Sequence, residues 1–233
     1  MNSTKNNIKY IILLLTLSLI WNMGAYAGAK VIAHDFPHRV FSFPLDDAIP
    51  FIPISITIYC VTFLFWLINY TIIASDVFKT GDAGEGAKNR LERFFAADFF
   101  SRVVCFIFFL VMPTTMVRPV PGTDAVWNTF VTFIYQMDSP VNLFPSIHCL
   151  ASWLCYIGIR KRDDIPKGYK IFTLIFAILI CISTLTTKQH LIPDVIGGII
   201  LAELSYFAAS SEKVREVYMK PVRKLAKALK ISE

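Results

Sequence analysis

Charged residues are scarce in this chain. They make up 17% of the 233 residues, whereas hydrophobic residues make up 55% and the mean hydropathy is +0.55. A soluble domain carries about 25% charged residues, so this composition excludes a soluble globule, whose surface could not be covered. The hydrophobic content also excludes a disordered chain. The composition therefore indicates a membrane protein.

Paired cysteines are also missing. The five cysteines, at positions 60, 105, 149, 155 and 181, form no CxxC motif, and all lie in apolar stretches. Disulfide frameworks and zinc sites are recognised by cysteines at short, regular spacings. We therefore interpret these residues as buried thiols and expect neither a disulfide framework nor a metal site built on them.

Long charge-free runs dominate the sequence. A membrane-spanning helix needs about 20 apolar residues, and solid rather than alternating runs favour helices over strands. The pattern predicts an all-α, polytopic membrane protein with six transmembrane helices and short interfacial helices, in a single integral membrane domain over residues 1–233. The runs are Tyr10–Ala29, Ala48–Ser75, Val103–Val117, Ser139–Ile159, Ile171–Thr187 and Val195–Ser211.

Three of these runs carry features that need interpretation. The third run can span if its helix begins near Phe94 and if Asp98 pairs with Arg102, one turn away, at its hydrated end. Glu203 interrupts the sixth run, and we interpret it as a protonated carboxyl bonded to a neighbouring helix, although an ionisable group there is a functional candidate. The first run contains Ala25-Tyr26-Ala27 close to its end, which resembles a cleavage site, so a cleaved signal peptide is an alternative to a retained helix.

The basic residues are distributed unevenly between the loops. If the N-terminus is inside, 19 of the 23 lysines and arginines lie in cytoplasmic segments. Because basic loops stay in the cytoplasm, both termini are predicted to be cytoplasmic. The protein is expected in a plasma membrane, such as a bacterial inner or cell membrane. The net charge of +6 is then a signal of topology, and we expect no nucleic acid partner.

The segments between the runs differ in character. Three glycines predict a flexible cytoplasmic linker over residues 76–93. Apolar residues near helical spacing predict an interfacial helix over Asp124–Asp138, which could cover a lipid site. Residues 212–233, with seven positive and three negative charges, predict a basic cytoplasmic tail helix that lies on the anionic inner leaflet.

Unusual polar residues occur at the predicted outer ends of the third to sixth spans. They are Arg118-Pro119, Pro145-Ser146-Ile147-His148, Lys188-Gln189-His190 and Asp194. The predicted topology puts all of these groups on the same side of the membrane. We therefore expect them to form one extracytoplasmic site.

Two imidazoles and a carboxylate in this group suit phosphoryl transfer without a metal. Asp194 follows His190 by four residues and could accept its Nδ1–H, which would leave Nε2 as a nucleophile. His148 could protonate the leaving alkoxide. These three residues are the predicted catalytic groups.

The remaining polar residues suit the binding of an anion. Arg118 can hold two phosphate oxygens with its planar guanidinium group. Ser146 is placed to cap the fourth helix, whose N-terminal N–H groups would face the phosphate. Lys188 adds a point charge. These residues predict a substrate that carries phosphate.

The order of these motifs resembles the type 2 phosphatidic acid phosphatase superfamily, which also includes lipid phosphotransferases similar to inositol phosphorylceramide synthases. The family motifs KxxxxxxRP, PSGH and SRxxxxxHxxxD correspond to Val111–Pro119, Pro145–His148 and Ser183–Asp194, within a core over residues 111–200. The resemblance implies six helices and an exofacial site. It also implies that His190 is the phosphohistidine nucleophile, His148 the general acid and Asp194 the partner of His190.

Three positions depart from the family motifs. Val111 stands in place of a lysine, Ile147 in place of a glycine and Thr184 in place of an arginine. Two phosphate-binding cations are therefore missing, and Lys188 could substitute for one of them. The sequence indicates a divergent member, and it leaves open which lipid phosphate is bound.

The first interpretation is a metal-independent membrane phosphatase without a cofactor, which hydrolyses a lipid phosphate monoester or pyrophosphate through a phosphohistidine. A phosphotransferase that passes the phospho-headgroup to a lipid hydroxyl is the alternative. A carrier that binds lipid through Glu203 and the outer cluster is a third class. A metal hydrolase with His148, His190 and Asp194 as ligands is a fourth.

Overall fold

A computed structural model describes residues 2–79, 82–123 and 125–231 of the chain. This part of the protein is helical, as predicted, apart from two short paired strands. The helices are α1 Asn2–Met23, α2 Ala29–Ile32, α3 Ile56–Ala74, α4 Asp82–Val111, α5 Val126–Met137, α6 Ile147–Arg160, α7 Lys167–Thr186, α8 Ile192–Ala208 and α9 Glu212–Ala228. The strands are β1 Arg39–Val40 and β2 Thr114–Thr115.

Four helical stretches in the described residues are long and apolar enough to cross a membrane. They are Thr4–Ile32, Pro53–Phe78, Gly84–Val111 and Lys167–Thr186. A fifth span results if α8 and α9, which meet at a bend of 90°, are taken as one broken span. The apolar helices agree with the predicted membrane protein, but the total of six spans is not confirmed.

The fourth predicted run is helical over only part of its length. Within Ser139–Ile159, α6 begins at Ile147 and has 14 residues to its end at Arg160. The residues before it include Pro140 and Pro145, which cannot donate a backbone hydrogen bond and so interrupt a helix. The run is therefore divided between a non-helical approach and a short helix.

A π-helical turn, Gly24–Gly28, joins α1 to α2 without a break, so that the two form one helical rod. A Cβ added at Gly28 would lie 3.7 Å from the ring of Phe106 on α4, so the rod passes close to α4 at this point.

The predicted flexible linker over residues 76–93 was wrong. α4 begins at Asp82 and includes two of the three glycines, while Gly81 lies outside the described residues. Ala87 and Leu91 are buried in this part of α4. A glycine costs a helix only about 1 kcal/mol relative to alanine, so the burial of these apolar side chains outweighs it.

The predicted ion pair between Asp98 and Arg102 forms, with 2.9 Å between the carboxylate and the guanidinium group. Its predicted place at a hydrated helix end was wrong. The two side chains are 2% and 4% exposed, and Tyr70 of α3 donates a hydrogen bond to Asp98 at 2.6 Å. Because α4 begins at Asp82, the pair lies about four turns into the helix.

Glu203 is bonded to a neighbouring helix, as expected, but through an ion pair instead of as a protonated carboxyl. Its two carboxylate oxygens accept hydrogen bonds from Arg160 at 2.7 and 2.9 Å, and the indole of Trp153 donates another at 3.0 Å. Arg160 ends α6, whereas His148 lies in its first turn, about 18 Å away along the axis. Glu203 is therefore far from the outer polar cluster and does not form part of the same site.

The tail helix forms as predicted, and part of its apolar side packs on the bundle. Tyr218 is buried and stacks on Phe99 of α4, with 4.6 Å between ring centroids. Arg223 pairs with Glu92 of α4 at 2.6 Å. The protein itself thus covers part of the apolar face of α9, while Val217 and Leu225 are 64% and 40% exposed.

The segments that carry the predicted site residues lie together at one end of the bundle. β1 pairs in parallel with β2, with Arg39 opposite Thr114. The predicted helix over Asp124–Asp138 forms as α5, although Asp124 itself lies outside the described residues. Tyr135 of α5 donates to the carbonyl of Thr187, beyond α7, at 2.7 Å. These contacts hold three connecting segments over the ends of the helices.

Candidate active site

His148 and His190 line one cavity of about 430 Å³, with 5.7 Å between their ring centroids. His148 lies in the first turn of α6, and His190 lies in the turn between α7 and α8. The structure thus brings together the two imidazoles that the sequence predicts for catalysis.

The position of His148 depends on the start of α6 and on aromatic residues of α3. Ser146 is the N-cap of α6, as predicted, and its hydroxyl accepts a hydrogen bond from the backbone N–H of Cys149 at 3.3 Å. The imidazole packs against Tyr59 and Trp66, with centroid distances of 4.7 and 5.6 Å. These rings limit the rotation of the imidazole. The sequence shows them only as apolar residues of a span.

The backbone of Thr184 shapes the turn that carries His190. Its carbonyl accepts hydrogen bonds from the N–H groups of Gln189 and His190, at 2.8 and 3.1 Å. The side chain of Thr184 is fully buried, and its hydroxyl donates to the carbonyl of Cys181 at 2.8 Å. The residue that stands in place of the family arginine therefore supports the turn through its main chain.

Asp194 lies behind His190, as predicted. Its Oδ2 is 3.4 Å from Nδ1 of His190, and the two side chains are 1% and 8% exposed. The same oxygen accepts the N–H of Leu191 at 2.8 Å, which caps the first turn of α8. At this distance Nδ1 of His190 has no hydrogen-bond partner among the described residues, and catalytic hydrogen bonds are often long until substrate binds. Asp194 can therefore orient His190 so that Nε2 remains available.

Arg118 does not line the cavity itself but contacts Gln189, which does. Its guanidinium group donates to the carbonyl of Asp138 and to Oε1 of Gln189, and it lies 4.6 Å above the ring of Tyr135. Burial lowers the pKa of Arg118, although an arginine remains charged in proteins. Gln189, and not Arg118 as predicted, is among the described residues that line the cavity.

Gln189 is a cavity residue to which the sequence interpretation gave no role of its own. Its Oε1 is held by Arg118, and its Nε2 has no hydrogen-bond partner among the described residues although the residue is 1% exposed. A buried amide N–H without a partner is costly, so it can donate to a bound anion. The only signal in the sequence was its place beside His190.

The side chain of Lys188 bonds to the segment before α3 and does not line the cavity in which it was predicted to bind phosphate. Its ammonium group donates to the carbonyls of Asp46 and Ile49, at 3.2 and 2.7 Å. Its backbone has a φ of 51°, in the left-handed region. This geometry gives Lys188 a structural role, because it fixes the segment before α3 to the turn between α7 and α8.

A sequence model of the PAP2 superfamily matches residues 86–208. The chain belongs to the PAP2 superfamily. The match includes α4 to α8 and the residues Arg118, Ser146, His148, Lys188, His190 and Asp194. Neither the curated proteins nor the solved structures gave a match. The resemblance based on the three motifs is confirmed, and membership of the PAP2 superfamily indicates phosphatase or phosphotransferase chemistry on lipids.

The two residues that stand in place of the PAP2 cations are not among the described residues that line the cavity. Val111, at the end of α4, is 78% exposed, and Thr184 is fully buried. Asp138, which was not predicted, lines the cavity and accepts a hydrogen bond from the hydroxyl of Tyr26. The site of this PAP2 member therefore combines one arginine with two carboxylates, of Asp138 and Asp194. Because the carboxylates offset the positive charge of the arginine, an anion bound at this site would depend more on neutral donors such as Gln189.

The described residues contain no group of three or more His, Cys, Asp or Glu side chains that could hold a metal ion.

Proposed function

We propose that this PAP2 member is a membrane phosphatase that hydrolyses a lipid phosphate monoester or pyrophosphate through a phosphohistidine on His190. The observation that supports it is the pair of imidazoles 5.7 Å apart on one cavity, with the Asp194 carboxylate behind His190. A nucleophile, its orienting group and an acid are the parts that this chemistry needs.

The first step transfers the phosphoryl group to the protein. Nε2 of His190 attacks phosphorus while the bond from phosphorus to the lipid oxygen breaks. His148, in its protonated form, gives its proton to the leaving oxygen, so the lipid departs as an alcohol. Asp194 stabilises the positive charge that develops on His190.

The second step releases phosphate. His148, now neutral, takes a proton from water, and the hydroxide oxygen attacks the phosphohistidine. The bond between nitrogen and phosphorus breaks, which returns His190 to its starting form. Gln189 and the first N–H groups of α6 would donate to the phosphate oxygens in both steps, and Arg118 would act through Gln189.

A phosphotransferase is the second candidate function, in which a lipid hydroxyl replaces water. The apolar walls of the histidine cavity support it, because Met23, Phe63, Ile134 and Leu143 line the same space as His148 and His190. A second lipid could therefore bring its hydroxyl group to the phosphohistidine.

The test is the release of free phosphate by the purified protein from a panel of lipid phosphates. We expect turnover that vanadate inhibits and that a chelator leaves unchanged. A parallel reaction with an added lipid alcohol separates the two candidates, because a phosphotransferase then forms a new phospholipid. Lipid movement between leaflets without any phosphate release would contradict both.

The proposed site opens on the extracytoplasmic side, with both termini in the cytoplasm. This orientation is supported by the basic residues, of which 18 of 23 fall in the segments assigned to the cytoplasm when Arg102, buried within α4, is left out. The labelling of introduced cysteines tests it. Asp47 and Glu85 are exposed acidic residues at opposite ends of the bundle, so Asp47→Cys and Glu85→Cys form a matched pair.

We expect an impermeant thiol reagent to label Asp47→Cys in intact cells and Glu85→Cys only after permeabilisation. Both variants should carry Cys60→Ala, because Cys60 is the exposed native cysteine. Labelling of Glu85→Cys alone in intact cells would reverse the orientation and place the site in the cytoplasm.

A further inference from the structure

A second cavity, of about 370 Å³, adjoins the histidine cavity within the helix bundle. Asn22, Phe63 and Trp66 line both cavities. Trp66 also packs against His148, at 5.6 Å between ring centroids. The second cavity is therefore a direct neighbour of the site where the phosphate would react.

The second cavity extends along the helices into the span. On α3, Tyr59 lines the histidine cavity and Tyr70 lines the second one, a separation of about 16 Å along the helix axis. Its outer border is formed by Leu19 of α1 and Leu67 of α3, which are 60% and 57% exposed. These residues face the hydrocarbon, so the cavity opens between α1 and α3 toward lipid.

The inner wall of this apolar cavity is polar. The ion pair between Asp98 and Arg102 lines it, together with Ser18 and Asn22 of α1. Nε of Arg102 and Oγ of Ser18 have no hydrogen-bond partner among the described residues, although the residues are only 3% and 8% exposed. Two buried donors without partners would cost free energy at the depth of a membrane. A bound group with an acceptor oxygen would satisfy both.

We propose that this cavity binds the linkage between the headgroup and the chains of the lipid, and that Arg102 and Ser18 donate hydrogen bonds to a carbonyl oxygen there. The proposal rests on the proposed function, which puts the lipid phosphate beside His190. Asp98 already balances the charge of Arg102, so the free N–H suits a neutral acceptor better than a second anion. Lipids with an ester or amide carbonyl fit this chemistry, whereas a polyprenyl phosphate offers no such oxygen.

The test compares two lipids that differ only in the carbonyl. Dioleoyl phosphatidate and its diether analogue carry the same phosphate and chains of the same length. We expect the wild-type kcat/KM to be about tenfold higher for the ester, which corresponds to about 1.4 kcal/mol. Ser18→Ala and Arg102→Lys should lower the value for the ester much more than that for the ether, so that the ratio of the two falls toward one. Lysine keeps a positive charge opposite Asp98, which protects the fold.

Ser210→Ala is the matched control, because Ser210 is an exposed serine in the turn between α8 and α9 whose hydroxyl donates to the nearby carbonyl of Phe207. It should change neither rate. Equal wild-type rates on the two lipids, or variants that lower both rates alike, would overturn the proposal. If no lipid releases phosphate, the proposed function is wrong, but the proposed carbonyl site can still be tested by binding. Thermal unfolding with each lipid then decides, because greater stabilisation by the ester supports the subsite and equal stabilisation contradicts it.

Discussion

His190→Ala is expected to release no phosphate from any substrate, whereas His148→Ala fails only when the leaving group needs a proton. A lipid alkoxide is a poor leaving group, so the loss of His148 should lower the rate by about 10² to 10⁴. An aryl phosphate leaves without protonation. With that substrate His148→Ala should still form the phosphohistidine but hydrolyse it slowly, because no base activates water.

The measurement is the covalent phosphate that remains on each variant after quenching. A phosphohistidine is labile in acid and stable in base, and we expect it to accumulate on His148→Ala and to be absent from His190→Ala. Asp194→Asn should reduce its amount without moving it. His34→Ala is the control, because His34 is an exposed imidazole outside the cavity. Phosphate trapped on Ser146 or His148 would contradict the assigned roles.

The residues of the candidate site could be predicted because the topology and the motif order act together. Alternating spans fix which helix ends lie on one side, and the structure brings His148, His190 and Asp194 together as that topology requires. The N-cap at Ser146 was predictable from the proline before it and the apolar run after it. The catalytic roles themselves stay predictions.

Other features could not be predicted, because they depend on packing between helices. Tyr59 and Trp66 contact His148. An aromatic residue in a span looks the same in the sequence whether its ring faces lipid or an imidazole. The direction of Lys188 depends on a left-handed turn that the sequence does not mark. The depth of Asp98 depended on where α4 begins, and three glycines suggested a start that was too late.

Gly198→Ala is expected to lower kcat/KM on every substrate by about 10²-fold. An added Cβ would lie 2.6 Å from the carbonyl oxygen of Ser146 and 3.2 Å from the N of Leu150. These are backbone atoms and cannot rotate away, so α8 must move from the first turn of α6. His148 lies in that turn and His190 directly precedes α8. A displacement of about 1 Å at the reacting groups costs about 10² in rate.

Substitutions of two other glycines serve as controls, because they distinguish the displacement of the two histidines from overpacking elsewhere in the protein. At Gly158, about 15 Å further along α6 than His148, a Cβ would lie 2.5 Å from Cδ1 of Ile73 and 2.9 Å from the ring of Phe94. Gly158→Ala should therefore lower the thermal stability, by about 1 to 3 kcal/mol of unfolding free energy, with little loss of kcat/KM. Gly168 has no atom within 4 Å of an added Cβ, so Gly168→Ala should preserve both. If Gly198→Ala kept wild-type kcat/KM while Gly158→Ala lost it, the contact between α6 and α8 would not be what positions the two histidines.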